Sequence, residues 1–585
     1  MMNIQVRVPA LFALCAVLAS PLSTSGCEER VIPVTQASMC QEVVLPAVNV
    51  ARGPFTLEGF PLLHPEVDDE GVVRFRAPSV LRETELTLHD RRGTLVQRVV
   101  VSPDASQVDD ALGLVPACGP FAHGVASGDP APERVYLWTR VTPSNASQAE
   151  EVRWEVAESL AFTTRVAEGT AMAEPSADHT VQVEVTGLRP GRTYYYRFTS
   201  AAGERSELGR TRTTPTDASV GVRLGVISCS SIYSGYFNAY QRLAERDDLD
   251  AIVHLGDYLY DFVDDEERVR VPVPEPAVPD DVVTWRARHA YYLSDPNLRA
   301  ARAAMPWVMI WDNHDLDQRA LDFGGGLAAY REWNAISPPR VGDADSIGYR
   351  TLSFGPLLDI IITDVLLHRG EGNVAGTEEP SILGETQFAW LTGEIERSQA
   401  VWRVIGSQKI VAPIEGGLAL LGGSTWDAYE ASRAQLFGFL ADGGHSDNVF
   451  ISGDAHITVA SDLPDPREGA PTYDPATGAG SVGVELMPGS ISRGNVDESV
   501  NGVMSLVNAL DRGARSSNPQ FAFLDLVRHG YGLLHVTAEQ MRAELWYSPI
   551  LEVSDSEELG GALEVHRGEN HWRRPVELPA TPDTP

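Results

Sequence analysis

From about residue 221 onward, short apolar runs alternate with amphipathic segments along the chain. Runs rich in β-branched residues, such as LGVIS, AIVHL, LDIII and NVFIS, are typical of strands that are buried on both faces. Between them lie segments such as TWRARHAYYL and TQFAWLTGEIE, in which apolar residues recur at helical spacing. This alternation predicts an α/β fold with helices packed on a layered sheet, which we expect to cover residues 221–550.

The chain before residue 217 has a different pattern, because its apolar residues alternate with polar ones over short stretches. The stretches TELTLHD and LVQRVVVS predict a small β-rich unit over residues 28–118. The stretches VYLWTRV, VQVEVTGL and TYYYRF predict a second unit over residues 119–216, an immunoglobulin- or fibronectin-like sandwich. The polar segment 551–585 is expected to form an extended or partly disordered tail.

Composition and charge narrow the classes of function. At 585 residues the chain exceeds the size of a single core, so two to four domains are expected. It carries 46 basic and 81 acidic residues, a net charge of −35, which argues against attraction to nucleic acid or to an anionic membrane surface. Lys409 is the only lysine, and arginine supplies the remaining basic residues.

The first 26 residues have the pattern of an export signal. A single charge at Arg7 precedes the apolar run ALFALCAVLAS, which is too short to span a membrane. The following LSTSGC resembles a bacterial lipobox, although Thr24 departs from it, and would make Cys27 the lipidated N-terminus. We therefore expect an exported protein: a periplasmic or cell-surface lipoprotein held on a membrane by its lipid, or otherwise a secreted protein.

The five cysteines have different expected roles. Cys15 leaves with the signal, and Cys27 is the candidate for lipidation. Cys40 and Cys118 flank one small unit and could pair in an oxidising compartment. Cys229 follows a strand without an obvious partner, and by position alone it is typical of a buried, unreactive thiol.

Residues able to bind metal ions follow four of the predicted strands. Parallel strands finish at one edge of a sheet, and this edge usually carries the functional site of an α/β domain. One such residue alone is more often a helix cap or a core residue, but four clusters together predict a metal centre. The clusters are Cys229 after LGVIS; Asp257 and Tyr260 after AIVHL; Asp312, Asn313, His314 and Asp315 after WVMIW; and Asp454 and His456 after NVFIS.

The residue types indicate two different ions. A thiolate and a phenolate, from Cys229 and Tyr260, suit a trivalent Lewis acid such as ferric iron, whereas carboxylate and amide oxygens suit calcium, magnesium or manganese. Asp257 is expected to bridge both ions. Two adjacent ions suit phosphoryl chemistry, because they activate water and hold the attacking and leaving oxygens. His314 is then expected to steer the phosphate or to protonate the leaving oxygen.

The order G-D-x-x-Y, N-H-D and G-D-x-H resembles the metallophosphoesterase superfamily, and more specifically the alkaline phosphatase D family. The similarity covers about residues 121–549 and includes FAHGVASGDP, HLGDYLYDF, IWDNHD, FISGDAHITVASDL and VELMPGSIS in the family's order. It implies a four-layer α/β sandwich, with residues 119–216 as the family's N-terminal domain and 221–550 as its catalytic domain. It also implies a phosphomonoesterase, often also a phosphodiesterase, that works through a dinuclear centre and metal-activated hydroxide.

The resemblance implies iron and calcium as cofactors, with manganese, zinc or magnesium as substitutes. The residues that it assigns to metal binding are Cys229, Asp257 and Tyr260 for iron, and Asp257, Asn313 and Asp454 or His456 for calcium. The residues that it assigns to catalysis are His314, Asp257 and Asn313. The implied substrate is a phosphate ester, either a small molecule or a polymer derived from cell wall or phospholipid.

Several features depart from the family's pattern. Asn313 stands where the family usually has a second aspartate, which removes one negative charge from the site. Asp364 is followed two residues later by Leu366, where the family carries an arginine; Arg369 is a nearby match. The twin-arginine signal common in the family is absent, and residues 28–118 lie outside the resemblance. These departures keep a second hypothesis open, a non-catalytic cell-surface binding protein that retains the fold.

Overall fold

The computed structural model describes residues 32–60, 62–108, 114–217, 221–262, 270–316, 324–338, 348–421 and 425–573. The expected export signal, residues 1–26, and the candidate lipid site at Cys27 lie outside these residues. Among the described residues, no helix is long and apolar enough to cross a membrane.

Short strands make up the leading unit: β1 (Val34–Ser38), β2 (Glu42–Leu45), β3 (Thr56–Glu58), β4 (Glu66–Val67), β5 (Val73–Arg76), β6 (Thr84–His89) and β7 (Leu95–Ser102). They form two small sheets, in the orders β1-β7-β6-β3 and β2-β5-β4. Alternate side chains, such as those of Leu86 and Val99, point into its core, as the sequence pattern predicts. A disulfide joins Cys40 to Cys118, whose Cα atoms are 5.3 Å apart, and ties this unit to the chain that enters the next.

The second β unit is a sandwich. Its strands are β8 (Val125–Ala131), β9 (Arg134–Arg140), β10 (Glu150–Ala157), β11 (Arg165–Ala173), β12 (Thr180–Thr186), β13 (Thr193–Thr199) and β14 (Gly209–Arg212). Strands β11, β10, β13 and β14 form one sheet, and β12, β9 and β8 belong to another. Apolar side chains from both sheets, among them Leu137, Tyr194 and Phe198, share one core.

The α/β region contains the remaining strands and the helices. Its strands are β15 (Val222–Ile227), β16 (Ala251–His254), β17 (Pro306–Met309), β18 (Arg350–Phe354), β19 (Leu358–Ile362), β20 (Trp402–Gly406), β21 (Asn448–Ile451), β22 (Thr458–Pro464), β23 (Ser481–Met487), β24 (Phe521–Asp525), β25 (Gly530–Val536), β26 (Gln540–Tyr547) and β27 (Glu558–His566). Its helices are α1 (Asn238–Glu245), α2 (Val282–Tyr292), α3 (Pro296–Ala304), α4 (Gly324–Trp333), α5 (Gly384–Arg397), α6 (Glu430–Asp442), α7 (Val496–Ser499) and α8 (Met504–Ser517). Short 3₁₀ segments lie at Val50–Arg52, Pro175–Ala177, Gly416–Leu421 and Trp426–Tyr429.

Two sheets stack in this region, with helices on their outer faces. The larger sheet has the order β12-β9-β8-β17-β16-β15-β25-β26-β27, and the smaller has the order β18-β19-β20-β21-β23-β22-β24. Strands β15, β16 and β17 pair in parallel, as do β19, β20, β21 and β23. Side chains of both sheets, such as Val226 and Val404, share one core, while Leu391 of α5 and Leu436 of α6 pack on the outer face of the smaller sheet. The fold is the four-layer α/β sandwich that the resemblance implies.

The larger sheet crosses the boundary expected between residues 216 and 221. Strand β8 of the sandwich pairs in parallel with β17, so that Ser127 lies opposite Pro306 and Gly128 opposite Trp307. Glycine is required at position 128, because a Cβ atom there would lie 2.0 Å from the carbonyl oxygen of Ala335. The second β unit is therefore built into the α/β region by main-chain pairing.

The segment after residue 551 also differs from the expected tail. Strand β27 pairs antiparallel with β26 and forms the edge of the larger sheet. Its Leu563 and Val565 lie in the core. Gly560 and Gly561 interrupt the apolar pattern of this strand, which explains why the sequence did not predict it, and they allow aromatic rings to pack against the backbone.

Candidate metal centre

The carboxyl ends of the parallel strands of both sheets meet at one place. From the larger sheet, Cys229 follows β15, Asp257 follows β16 and Asp312 follows β17; from the smaller sheet, Lys409 follows β20, and Asp454 and His456 follow β21. All these side chains are buried or half-buried. Because parallel strands end at one edge of a sheet, residues distant in the chain become neighbours here.

The backbone at four of these residues is held in the left-handed region, which residues other than glycine rarely adopt. The φ angles are 59° for Cys229, 52° for Asp257, 70° for Asp454 and 63° for His456. Such conformations cost on the order of 1 kcal/mol each and are concentrated at functional sites. Gly256, whose φ angle is 102°, has no Cβ atom and so allows the segments after β16 and β17 to approach each other. A Cβ atom at this position would lie 2.5 Å from Asp312 Cβ.

Cys229, Asp257, Tyr260 and His456 form a group suited to one metal ion, which we call the first position. Asp257 Oδ2 lies 3.8 Å from Cys229 Sγ and 3.2 Å from the Tyr260 hydroxyl. That hydroxyl lies 3.2 Å from His456 Nε2. His456 Nδ1 is 3.0 Å from the Gly494 carbonyl oxygen and donates to it, so Nε2 carries the lone pair that a metal ion requires.

The pKa values of the groups in the first position are shifted by burial and by neighbouring charges. Burial raises the pKa of the Cys229 thiol and of the Tyr260 hydroxyl well above their usual values, and the charge of Asp257 adds to both shifts. Burial alone would also raise the pKa of Asp257, but the positive charges of His314 and Lys409 outweigh it and lower that pKa. The group therefore presents one carboxylate and two protons that a strongly Lewis-acidic ion would displace.

Asp257, Asp312 and Asp454 form a second group, which we call the second position, with one carboxylate oxygen of each within 4.8 Å of the others. Asp257 thus belongs to both positions. Asp312 is fully buried, and neither of its carboxylate oxygens accepts an aligned hydrogen bond from the described residues. Burial raises the pKa of Asp312, although attraction to Lys409 opposes the shift. A buried carboxylate with so few hydrogen-bond donors fits a cation at its side.

The Lys409 ammonium lies among the oxygens of the second position. Its Nζ is 2.9 Å from Asp312 Oδ2, donates a hydrogen bond of 2.8 Å to Asn313 Oδ1, and donates a shorter one to Asp454 Oδ1. Burial alone would lower the pKa of Lys409, but attraction to the three carboxylates of this position outweighs it and raises the pKa above its usual value. The second position therefore already contains a positive charge.

His314 lies beside the first position. Its ring centroid is 4.3 Å from that of Tyr260, and its backbone N–H donates to Asp257 Oδ1 at 3.2 Å. Nδ1 lies 2.8 Å from Asp261 Oδ1. Burial alone would lower the pKa of His314, but the charges of Asp257 and Asp261 raise it to about 9. At neutral pH the ring is a cation whose Nδ1–H is held by Asp261, which leaves the Nε2 proton as the one to donate.

The loop that departs from the family's pattern is organised by Asp364 and packs Leu366 into the core. Asp364 accepts hydrogen bonds from Trp311 Nε1 at 2.9 Å and from the backbone N–H of Leu366 at 2.8 Å, so it holds the turn after β19. The Leu366 side chain is buried in the core. Arg493, which the sequence pattern did not single out, is buried beside the first position, with Cζ 5.0 Å from the Tyr260 ring centroid.

Most of the chain is similar to known proteins. The family model described as "PhoD-like phosphatase" matches residues 224–319 and 322–545, and "PhoD-like phosphatase, N-terminal domain" matches residues 113–215. The chain belongs to the PhoD-like phosphatase family. Alkaline phosphatase D of Bacillus subtilis (strain 168) is 31% identical over 477 residues, which cover 74% of this chain and 78% of the relative. A solved structure of PhoD matches with a TM-score of 0.68 and 28% identity, covering 79% of this chain and 93% of that one.

Membership of the PhoD-like phosphatase family makes the chain a hydrolase that acts on phosphoesters. Its structure brings together the residues that the sequence singled out at the strand ends. Cys229, Tyr260 and His456 surround Asp257 in the first position, Asp454 lies in the second, Asn313 reaches the second through its amide oxygen, and His314 stands beside the first. Position alone suggested an unreactive thiol for Cys229, whereas the structure sets its sulfur 3.8 Å from the shared carboxylate.

Two basic residues of this PhoD-like phosphatase were missed by the sequence reasoning. Lys409 lies three residues after the end of β20, and its only signal in the sequence is that no other lysine occurs in the chain. Arg493 lies in a loop after β23, and no ligand pattern marks it. Both bring positive charge to a centre whose substrate is an anion.

Proposed function

We propose that this PhoD-like phosphatase hydrolyses phosphomonoesters, and also phosphodiesters, at a centre with two positions for positive charge that share Asp257. The observation that supports the proposal most directly is this shared carboxylate. It is buried and ionised between a group with sulfur, nitrogen and oxygen donors and a group with oxygen donors only. Paired positive charges suit phosphoryl transfer, because they stabilise the attacking and the leaving oxygen together.

The first position suits ferric iron, because a trivalent ion stabilises thiolate and phenolate ligands. When bound there, a metal ion supplies Lewis acidity, which lowers the pKa of water and withdraws charge from phosphoryl oxygens. The oxygen donors of the second position suit calcium, with manganese, zinc or magnesium as substitutes, provided that the Lys409 ammonium leaves them.

His314 is the proposed general acid. Its imidazolium lies against Tyr260, and Asp261 orients the ring through Nδ1. Transfer of the Nε2 proton to the leaving oxygen neutralises the alkoxide as the ester bond breaks. Arg493 contributes a fixed positive charge, and Lys409 contributes another while its ammonium lies in the second position. Both charges attract the phosphate and stabilise the charge that develops on it.

We propose an exported enzyme, anchored through lipid on Cys27, that acts on small phosphate esters or on polymers derived from cell wall or phospholipid. The Cys40–Cys118 disulfide supports an oxidising compartment. The net charge of −35 argues against nucleic acid as the polymer.

The test compares hydrolysis of p-nitrophenyl phosphate, bis-p-nitrophenyl phosphate and an alkyl phosphate by the purified full chain. An alkoxide is a poor leaving group and needs a proton, so His314→Gln should lower kcat for the alkyl ester about 10²- to 10⁴-fold. The loss for the nitrophenyl esters should be much smaller, because nitrophenolate leaves without a proton. Glu168→Gln, on the exposed face of the second β unit, is the matched control and should leave every rate unchanged.

Two results would contradict the proposal. A metal-loaded wild type that cleaves none of the three esters would favour the cell-surface binding protein instead. Equal losses for alkyl and nitrophenyl esters in His314→Gln would show that His314 does not act as the general acid.

A further inference from the structure

Lys409 is the only lysine in a chain with 46 basic residues, and its surface is 2% exposed. Arginine serves at every other basic position, in exposed and in buried ion pairs alike. The two side chains differ physically, because a guanidinium is a wide planar fork and an ammonium is a compact point charge with three N–H donors. Lysine therefore places a compact cation at this position, which arginine could not.

The surroundings of the ammonium resemble the ligand shell of a small hard cation. Oxygens of three side chains face Nζ: Asp312 Oδ2 at 2.9 Å, Asn313 Oδ1 at 2.8 Å, and Asp454 Oδ1, which accepts a short hydrogen bond. Two of the three belong to the carboxylates that define the second position. The ammonium thus uses oxygens that a metal ion in this position would need.

We infer that the Lys409 ammonium is the resident cation of the second position, so that this phosphatase binds one metal ion, at the first position, rather than two. A divalent ion and an ammonium do not share the same oxygens, because two cations at contact distance repel strongly where water is excluded. Asn313 fits this assignment, since its neutral amide oxygen accepts a hydrogen bond without adding the negative charge that would favour a divalent ion. The inference rests on the two-position centre proposed above and replaces its calcium by an ammonium.

The fixed ammonium has a functional consequence. The second positive charge beside the phosphate belongs to the chain and does not depend on the calcium supply outside the cell. Displacing the ammonium would leave the Asp312 and Asp454 carboxylates without it, and breaking a buried ion pair is costly. A calcium-selective chelator should therefore leave hydrolysis by the iron-loaded chain unchanged.

Counting bound metal ions in the purified full chain tests the inference. Wild type, Lys409→Met and Arg403→Met are loaded with iron and dialysed against calcium, and ions per chain are measured by plasma mass spectrometry. Arg403→Met is the matched control, because it removes a buried cation from the same strand β20, outside the two positions. We expect iron alone in wild type and in the control, and one additional calcium ion per chain in Lys409→Met.

A wild type that retains iron and calcium in equal amounts would overturn the inference, and this count is decisive even if Lys409→Met fails to fold. A folded Lys409→Met chain that gains no calcium would overturn it too. Metal counting needs no catalysis, so its result is separate from the hydrolysis test. Two metal ions bound to an active chain would contradict the inference but not the proposed function. One metal ion bound to an inactive chain would contradict the proposed function but not the inference.

Discussion

Asp129 joins the second β unit to the α/β region, and its replacement by alanine should destabilise the protein strongly. The buried carboxylate accepts hydrogen bonds from Ser337, through the backbone N–H at 2.8 Å and the hydroxyl at 2.6 Å. It accepts two more from Arg350, through Nε at 2.9 Å and Nη2 at 2.7 Å. Asp129 is the aspartate of the FAHGVASGDP stretch, so this contact gives that motif a structural role.

The size of the effect follows from burial. The side chains of Asp129 and Arg350 are 3% and 15% exposed, so solvent screens their attraction little. Removing one partner of a buried ion pair costs about 3–5 kcal/mol, because the other charge stays buried without compensation. We therefore expect Asp129→Ala to lower the free energy of unfolding by that amount. The exposed pair of Arg153 and Glu168, whose side chains are 49% and 51% exposed, gives the control Glu168→Ala, which should have little effect.

Urea unfolding of both variants, followed by tryptophan fluorescence and circular dichroism, measures the difference. The chain contains more than one structural unit, so the midpoints and slopes of matching transitions are compared rather than one global free energy. The Asp129→Ala transition should move to clearly lower urea, and Glu168→Ala should overlay the wild type. An Asp129→Ala midpoint indistinguishable from that of Glu168→Ala would refute the reasoning.

Two further predictions concern pH and the disulfide. Burial lowers the pKa of His123 and His254 to about 3 and that of His289 well below 6.5. Because each histidine has a lower pKa in the folded protein than in the unfolded one, its full contribution to the free energy of unfolding is present above pH 6.5. Below that pH, each histidine lowers the free energy of unfolding by about 1.4 kcal/mol per pH unit. Urea midpoints that stay flat from pH 7 to 5 would contradict this. Cys40→Ser removes the disulfide between two residues that are 78 positions apart in the chain, and it should destabilise the leading unit by on the order of 4 kcal/mol. Unfolding curves and metal analysis check this, and a loss of iron would show that the effect reaches the centre.

The sequence predicts the place of the candidate metal centre because that place depends on local patterns. One or two residues separate Cys229, Asp257 and Asp454 from the apolar runs before them, and parallel strands must finish at one edge of their sheet. The proposed role of Cys229 as a metal ligand needed the resemblance as well, because a lone cysteine after a strand is more often an unreactive core residue. The prediction that His314 lies beside the centre followed from its place directly after Asn313.

Other features depend on contacts between distant residues, which leave no local pattern. The pairing of Gly128 with Trp307 joins two units that differ in sequence pattern, and only the Cβ clash with Ala335 shows why glycine is needed. Strand β27 was missed because two glycines interrupt its alternation. The sequence did not place Lys409 in the centre because an ammonium is not a metal ligand. Its location there is seen only in the structure, where its ammonium lies between Asp312 and Asp454.

The iron content of wild type and Asp257→Asn, measured on the same samples used for phosphoester hydrolysis, tests most directly whether the shared carboxylate organises the centre. Asparagine keeps the size of the side chain and removes its charge. We predict one iron ion per chain and hydrolysis for the wild type and for the exposed control Asp442→Asn, and the loss of iron together with a fall in rate on the order of 100-fold for Asp257→Asn. An Asp257→Asn chain with full iron content and full activity would contradict the account.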